Sequence, residues 1–418
     1  MDTETQSKRN EWIYTICQKA AELAGGRAVI IWGDYGVSWK IRDILEDKYR
    51  MRVHGFIDSD LMKIDNQTIY PTSCIDGKAK EYFVVIPVAY YHSIKEHMQK
   101  CGYSETDYYY YNDCVVSERE DYYEDNRGNR IIGNHRNIKI VFDGKNSCVR
   151  IVGGVKVQND TSYMYIGSDS IITMEKSTYT AHMKVGDNAE ISFGEKCVID
   201  GNFEVGDGAR LCVGDRLQTN EFSCVLCEGA KCEIGNKCIF ITKSEVLVYE
   251  NAECRIGNGC AFSYSNRINV GSDAKCIIEN GCSKGIGGVV AVCPGTSLTI
   301  GEDAMFSSNV CLLTNDGHSI FDVRTGKNIN TSQEINETRS IVLGKHVWLG
   351  EGVMVLYGTR IGDSSIIGAR SLVKSKIPNN CMAVGIPAKV VRKDITWCRD
   401  YGSENILDCG AEFINYTE

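Results

Sequence analysis

L-G-K-H-V-W-L-G-E-G-V-M-V-L-Y-G-T-R-I-G-D-S-S-I-I-G-A-R-S-L-V-K-S-K-I-P, residues 343–378, divides into six consecutive hexads without a slip. An aliphatic residue opens each one: Leu343, Leu349, Val355, Ile361, Ile367 and Val373. The residue four places later is mostly small or β-branched. Three such hexads per coil make a triangular prism, with an aliphatic at each inner corner and a glycine-permissive turn outside. One isolated hexad would mean little, but six in register specify a solenoid.

Upstream the period loosens without vanishing. K-C-E-I-G-N (231), E-C-R-I-G-N (253), K-C-I-I-E-N (275) and S-L-T-I-G-E (297) each begin 22 residues after the one before. Weaker copies, A-E-I-S-F-G-E (189) and A-R-L-C-V-G-D (209), precede them. Short apolar segments closed by Gly, Asn or Asp turns at a fixed period describe a β-solenoid whose coils stack like on like. The cysteines obey the same period: Cys232, Cys254 and Cys276 recur, as do Cys238, Cys260 and Cys282. Twenty cysteines in so long a chain therefore read as internal ladders of small hydrophobes rather than a disulfide framework. Cys224 and Cys227 form a C-x-x-C, but no second pair and no nearby histidine completes a metal site.

The chain of 418 residues suits two or three domains. Its net charge of −9 argues against nucleic acid as the main partner. No apolar run approaches the ~20 residues of a membrane span. The opening M-D-T-E-T-Q-S-K-R-N has no apolar h-region, so no signal peptide is expected, and a cytoplasmic location is.

The prism resembles the hexapeptide-repeat acyltransferases. The segments T-N-D-G-H-S-I-F-D (314–322), V-W-L-G (347–350), I-G-A-R-S-L-V-K (367–374) and V-G-I-P-A-K-V-V (384–391) resemble the galactoside, xenobiotic and capsular-polysaccharide O-acetyltransferases most. The resemblance is close over residues 297–397 and extends through degenerate coils back to about 136. It implies a left-handed parallel β-helix over 136–397, a handedness that the general preference for right-handed crossovers would not suggest. It further implies a homotrimer, with acetyl-CoA as donor lying along the seam between two subunits.

Residues 1–116 read differently. A helix with apolar positions Trp12, Ile13, Ile16, Ala20 and Leu23 precedes R-A-V-I-I-W-G-D-Y-G (27–36), a buried strand running into a glycine turn. V-H-G-F-I-D-S-D (53–60), ending its strand at Asp58, and Y-F-V-V-I-P-V-A-Y-Y (82–91) supply two more strands with helices between. This alternation predicts a small parallel α/β domain that resembles the Rossmann-like N-terminal domains of sugar N-acyltransferases. Gly33 and Gly36 alone represent a G-x-G-x-x-G, so the turn serves backbone geometry as readily as a nucleotide-sugar. The charged stretch within 117–135 reads as a linker, and 398–418 as a tail closing the solenoid's open end.

Residues 315–340 break the hexads with a polar insertion, and His318 stands at its base. Acetyl transfer to a sugar hydroxyl needs a base near neutral pH, and an ordinary imidazole, with pKa about 6.5, can take the proton. The resemblance gives His318 that role. Asp316 and Asp322 flank it and could orient it, and Asn315 could cap the turn. Trp348 should point outward, against a neighbouring subunit or the donor groove; the family motif favours the groove. Gly350, Gly368 and Ala369 would border the pantetheine, and Lys374, Lys376, Lys389, Arg392 and Lys393 would meet the phosphates. His346 reads as a surface histidine. The expected function is acetyl-CoA-dependent O-acetylation of a surface glycan or its nucleotide- or lipid-linked precursor. N-acylation of a nucleotide-linked amino sugar and a non-catalytic scaffold are the alternatives.

Overall fold

The computed structural model describes residues 11–33, 36–58, 67–87, 92–110, 115–119, 121–135, 138–153, 156–157, 163–330 and 338–418. It divides into two compact units, residues 1–173 with 182–188, and residues 174–181 with 189–418.

The first unit opens with a five-stranded parallel sheet. Its strands are β1 (Ala28–Trp32), β2 (Val53–Asp58), β3 (Ile69–Pro71), β4 (Tyr82–Ile86) and β5 (Tyr108–Tyr110), in the order β3-β2-β1-β4-β5. A-V-I-I-W takes the centre because a strand covered on both faces needs a continuous apolar run, and Val29, Ile30 and Ile31 are fully buried. Helices α1 (Glu11–Leu23), α2 (Gly36–Asp47) and α3 (His92–Lys100) accompany the sheet. On α1 the buried face is Ile13, Ile16, Cys17 and Ala20, whereas Leu23, expected inside, is exposed. Gly33 ends β1 at φ +89°, with its N–H donating to the Ile57 carbonyl. That conformation strongly favours glycine, so backbone geometry accounts for this residue.

The charged stretch expected to be a linker carries strands Val115–Arg119, Tyr122–Asp125 and Arg130–Ile132, paired antiparallel. Two of its polar residues, Asp125 and Asn129, build a buried turn. Buried Asp125 accepts from the backbone of Arg127 and Asn129, and the Asn129 side chain bonds Asp125, the Gly144 carbonyl and the Ser147 N–H.

The second unit is a parallel β-solenoid. A representative coil has strands Lys231–Ile234, Ile239–Phe240 and Glu245–Val248, and the next begins with Glu253–Ile256 directly over the first. Cys232 lies over Cys254 and Cys254 over Cys276, all fully buried thiols. The second cysteine row has a further role. Cys238, Cys260 and Cys282 donate S–H to carbonyls of the next coil, Gly257, Glu279 and Gly301, at 3.1–3.2 Å. A methyl group could fill that space but would leave those carbonyls without the bond. A phenylalanine row fills another corner, with the Phe240 and Phe262 rings stacked 4.8 Å apart.

Beyond the insertion the coils shorten to the hexad rhythm. Leu343 pairs with Ile361, Leu349 with Ile367 and Val355 with Val373, and all six are at most 2% exposed. One outer corner repeats a left-handed backbone. Lys196, Arg216, Lys237, Asp303, His346, Ser364 and Asn380 share φ between +52° and +60°. Each N–H of the row from Arg216 onward donates to a carbonyl of the preceding coil, as in His346 to Glu302 and Asn380 to Asp363.

One residue breaks the apolar filling. Lys284, between Phe262 and Phe306 in the stacked row, is 3% exposed, and its ammonium meets the Gly287 carbonyl. Burial pulls its pKa down to about 8. Replacing Lys284 with Met should raise stability by on the order of 3 kcal/mol at neutral pH. The sign is fixed by linkage: the folded amine titrates near 8 and the unfolded amine near 10.5. The penalty is therefore full below pH 8 and fades as pH rises through that window. Chemical denaturation of both proteins at pH 7 and pH 10.5 would show the gap narrowing.

The C-terminal segment folds back onto the coils and bonds Asn379 and Asn380 near the last of them. After the antiparallel pair Met382–Gly385 and Ala388–Arg392 the chain turns back along the left-handed corner. Arg399 bonds Asp303, Ser283 and the Gly281 carbonyl, while Thr417 exchanges bonds with Asp394. Within this strap His346 is buried, contrary to its surface reading. Its Nδ1 lies 2.6 Å from Asp303 Oδ2, its Nε2 lies 2.7 Å from the Trp397 carbonyl, and its ring stacks on both Trp397 and Phe413.

Candidate active site around His318

The insertion leaves the prism after strand Cys311–Leu313. Its base is anchored by buried Thr314, whose hydroxyl accepts from the Cys293 N–H and lies 2.7 Å from Thr296 Oγ1. Asn315 then accepts from the Gly317 N–H at 2.8 Å, the turn cap expected of it. Gly317 supplies φ +79°, and the chain delivers His318 to solvent. Among the described residues no side chain or backbone group bonds its imidazole.

What fixes His318 is its backbone, and the residue responsible is Asn330. Buried to 5% exposure, Asn330 donates to the His318 carbonyl at 2.8 Å and to Asp316 Oδ2 at 3.0 Å, and accepts from the Ile320 N–H at 2.7 Å. Asp316 thus faces the loop's interior, where it also pairs with buried Arg339 at 3.2 Å. The Asn330 hydrogen bond chiefly holds its carboxyl below the usual range, assisted by the Arg339 charge and Tyr357 against partial desolvation. Asp322 does not reach the imidazole: its Oδ1 accepts from the Arg324 and Thr325 N–H groups, closing a hairpin bridged by Phe321 and Asn328. Neither carboxylate orients the His318 ring in this conformation. Residues 331–337 of the insertion lie outside the described residues.

A chain of contacts ties this loop to the hexads. The Arg339 guanidinium sits 4.6 Å from the Tyr357 ring centre, Lys374 Nζ sits 4.1 Å from the same centre, and Lys374 donates to Tyr357 Oη at 2.7 Å. Lys374 therefore belongs with the loop, apart from the basic group in which it was placed. Lys389, Arg392 and Lys393 are exposed and form no ion pair among the described residues, and Lys376 is exposed too.

Trp348 is half-buried. Its Nε1 lies 3.5 Å from Ser307 Oγ, and its ring lies 5.9 Å from that of Trp397, so the C-terminal strap flanks it. Gly350 and Gly368 answer a packing demand: a Cβ on Gly350 would sit 2.7 Å from the Ala369 nitrogen, and one on Gly368 2.6 Å from Val384. Ala369 is exposed. Asn330, Arg339 and Tyr357 sit in the sequence among polar or hexad residues with nothing to mark them.

Asn330→Ala should lower kcat/KM of any reaction that uses His318 by about 10-fold or more, since a misplacement of about 1 Å costs on that order or above. The loss should fall on kcat more than on KM, which steady-state kinetics would read.

No family model matches the chain. It is 30% identical over 112 residues to the polysialic acid O-acetyltransferase of Escherichia coli O1:K1, covering 27% of this chain and 34% of that protein. It is 40% identical over 100 residues to WbbJ of Escherichia coli K12, assigned as a lipopolysaccharide biosynthesis O-acetyl transferase. The curated relatives of this chain are O-acetyltransferases. The matched stretch with WbbJ covers 23% of this chain and 50% of that protein, so in each case half or less of the relative is spanned. Among solved structures, the polySia-specific acetyltransferase NeuO overlaps 61% of this chain and 87% of its own, at 21% identity and a TM-score of 0.36. No helix among the described residues is long and apolar enough to cross a membrane.

Proposed function

We propose that the chain is an acetyl-CoA-dependent O-acetyltransferase acting on a hydroxyl of a bacterial surface polysaccharide or its precursor. The observation that carries this reading is an exposed imidazole, without a hydrogen bond among the described residues, on a loop whose backbone is fixed by a buried asparagine. Such a ring is positioned yet available. Its relatives' names point to sialic acid polymers and lipopolysaccharide as acceptor classes to try first.

A ring nitrogen of His318 removes the acceptor's hydroxyl proton as the oxygen attacks the thioester carbonyl. The C–S bond then breaks, and the departing thiolate recovers the proton from the imidazolium. N–H donors would stabilise the intervening oxyanion. Lys389, Arg392 and Lys393, exposed and without carboxylate partners among the described residues, suit the donor's phosphates. Gly350, Gly368 and Ala369 would border the pantetheine, and Trp348 would flank the donor. Asp316 and Asn315 act on the loop rather than on the ring. We read the solenoid as left-handed and the protein as a homotrimer. The strand order β3-β2-β1-β4-β5 supports a Rossmann-like reading of residues 1–116.

Thiol release from acetyl-CoA, followed with a panel of hydroxyl-bearing glycans and nucleotide-linked amino sugars, tests the reading. Turnover with the glycans is expected. Turnover confined to amino acceptors would shift the reading to N-acylation, and inertness with all would end it.

A further inference from the structure

Asp76, His97 and Cys101 converge in the α/β unit. One ligand atom from each lies within 4.8 Å of the others. We propose that these three side chains form a zinc site in the α/β unit, with water as the fourth ligand.

The geometry follows from the local chain. His97 lies in the last turn of α3 and Cys101 just beyond it, so an i, i+4 spacing brings both to one side. Asp76 leaves the 3-10 turn Thr72–Ile75, and the neighbouring Gly77 N–H donates to the Cys101 carbonyl at 3.0 Å, pinning the two segments together. The three groups differ in exposure: Cys101 is buried, His97 half-buried and Asp76 exposed, so solvent reaches the cluster from the Asp76 side.

Two further observations favour a ligand. His97 Nε2 is sealed from solvent and has no hydrogen-bond partner among the described residues, a cost that a protein normally avoids. Its ring meets that of Trp32 in a T-shaped contact, with centroids 5.4 Å apart, which restrains the imidazole. Cys101 donates S–H to Asp76 Oδ1 at 2.9 Å. The metal-free pair therefore holds one proton between sulfur and carboxylate. Binding Zn2+ would expel that proton: the S–H bond breaks, a zinc–thiolate bond forms, and H+ passes to solvent. A mixed S, N and O set suits Zn2+ and its spectroscopic substitute Co2+ better than the hard cations.

The test uses full-length protein, stripped with chelator and titrated with Co2+ alone. Thiolate-to-cobalt charge-transfer absorption saturating at one extra equivalent relative to Cys101→Ser, and displaced by Zn2+, is expected. Because other cysteines are present, the difference between proteins is the readout. His97→Gln should weaken binding by 10-fold or more while the far-ultraviolet circular dichroism stays native. Should Cys101→Ser fail to fold, Asp76→Asn, whose side chain is exposed, reports instead through the same 10-fold weakening. Titrations unchanged by all three substitutions, or no charge-transfer band, would leave only a thiol–carboxylate hydrogen bond here and overturn the proposal.

Discussion

Replacing His318 with alanine is expected to lower kcat/KM for acetyl transfer by about 10^2- to 10^4-fold, the usual worth of a positioned general base. Stability should not change, because the ring is exposed and bonds nothing among the described residues. That combination separates this residue from Asn330, whose side chain satisfies three groups of the loop. Activity loss with an unmoved Tm is the signature of a reacting group. A comparable fall in Tm would show instead that His318 holds the loop together.

The opposite pattern is expected at His346. Alanine there removes a ring stacked between Trp397 and Phe413 and strands two partners, the partly buried Asp303 Oδ2 and the carbonyl of buried Trp397. A cavity plus unsatisfied polar groups costs about 3–5 kcal/mol. Asp303 would lose one of its two stabilising contacts: burial pushes its carboxyl up, and hydrogen bonds from His346 and Arg399 more than offset this. The strap over the corner should loosen first, so limited proteolysis should clip within 398–418 before the coils open. His346→Asn, which tolerates the left-handed backbone, should lose less than alanine. Equal melting curves for wild type and H346A would contradict this account of the strap.

These residues also show where the sequence was legible. The hexads could be read directly because each inward position repeats every six residues, and the structure puts Leu343 through Val373 where that rhythm says. The cysteine rows were visible for the same reason, since Cys232, Cys254 and Cys276 share one period. Periodicity, however, describes what a coil does to its neighbours and is blind to what later covers it. His346 stands at an outward corner by its hexad, and only a segment some fifty residues later buries it. The 117–135 stretch differs: its charge and turn residues read as a linker, whereas Asp125 and Asn129 spend their polar groups on a buried turn. Asn330 is one amide in a polar insertion, and its partners are backbone groups that sequence does not distinguish. Asp316 and Asp322 flank His318 in sequence, yet both turn toward their own loop.

The bond formed in the product tests the central claim most directly. Purified protein given acetyl-labelled acetyl-CoA and a sialic acid polymer or lipopolysaccharide should yield an alkali-labile ester on the glycan, and H318A should yield almost none. An alkali-stable amide, or ester formation undiminished in H318A, would contradict it.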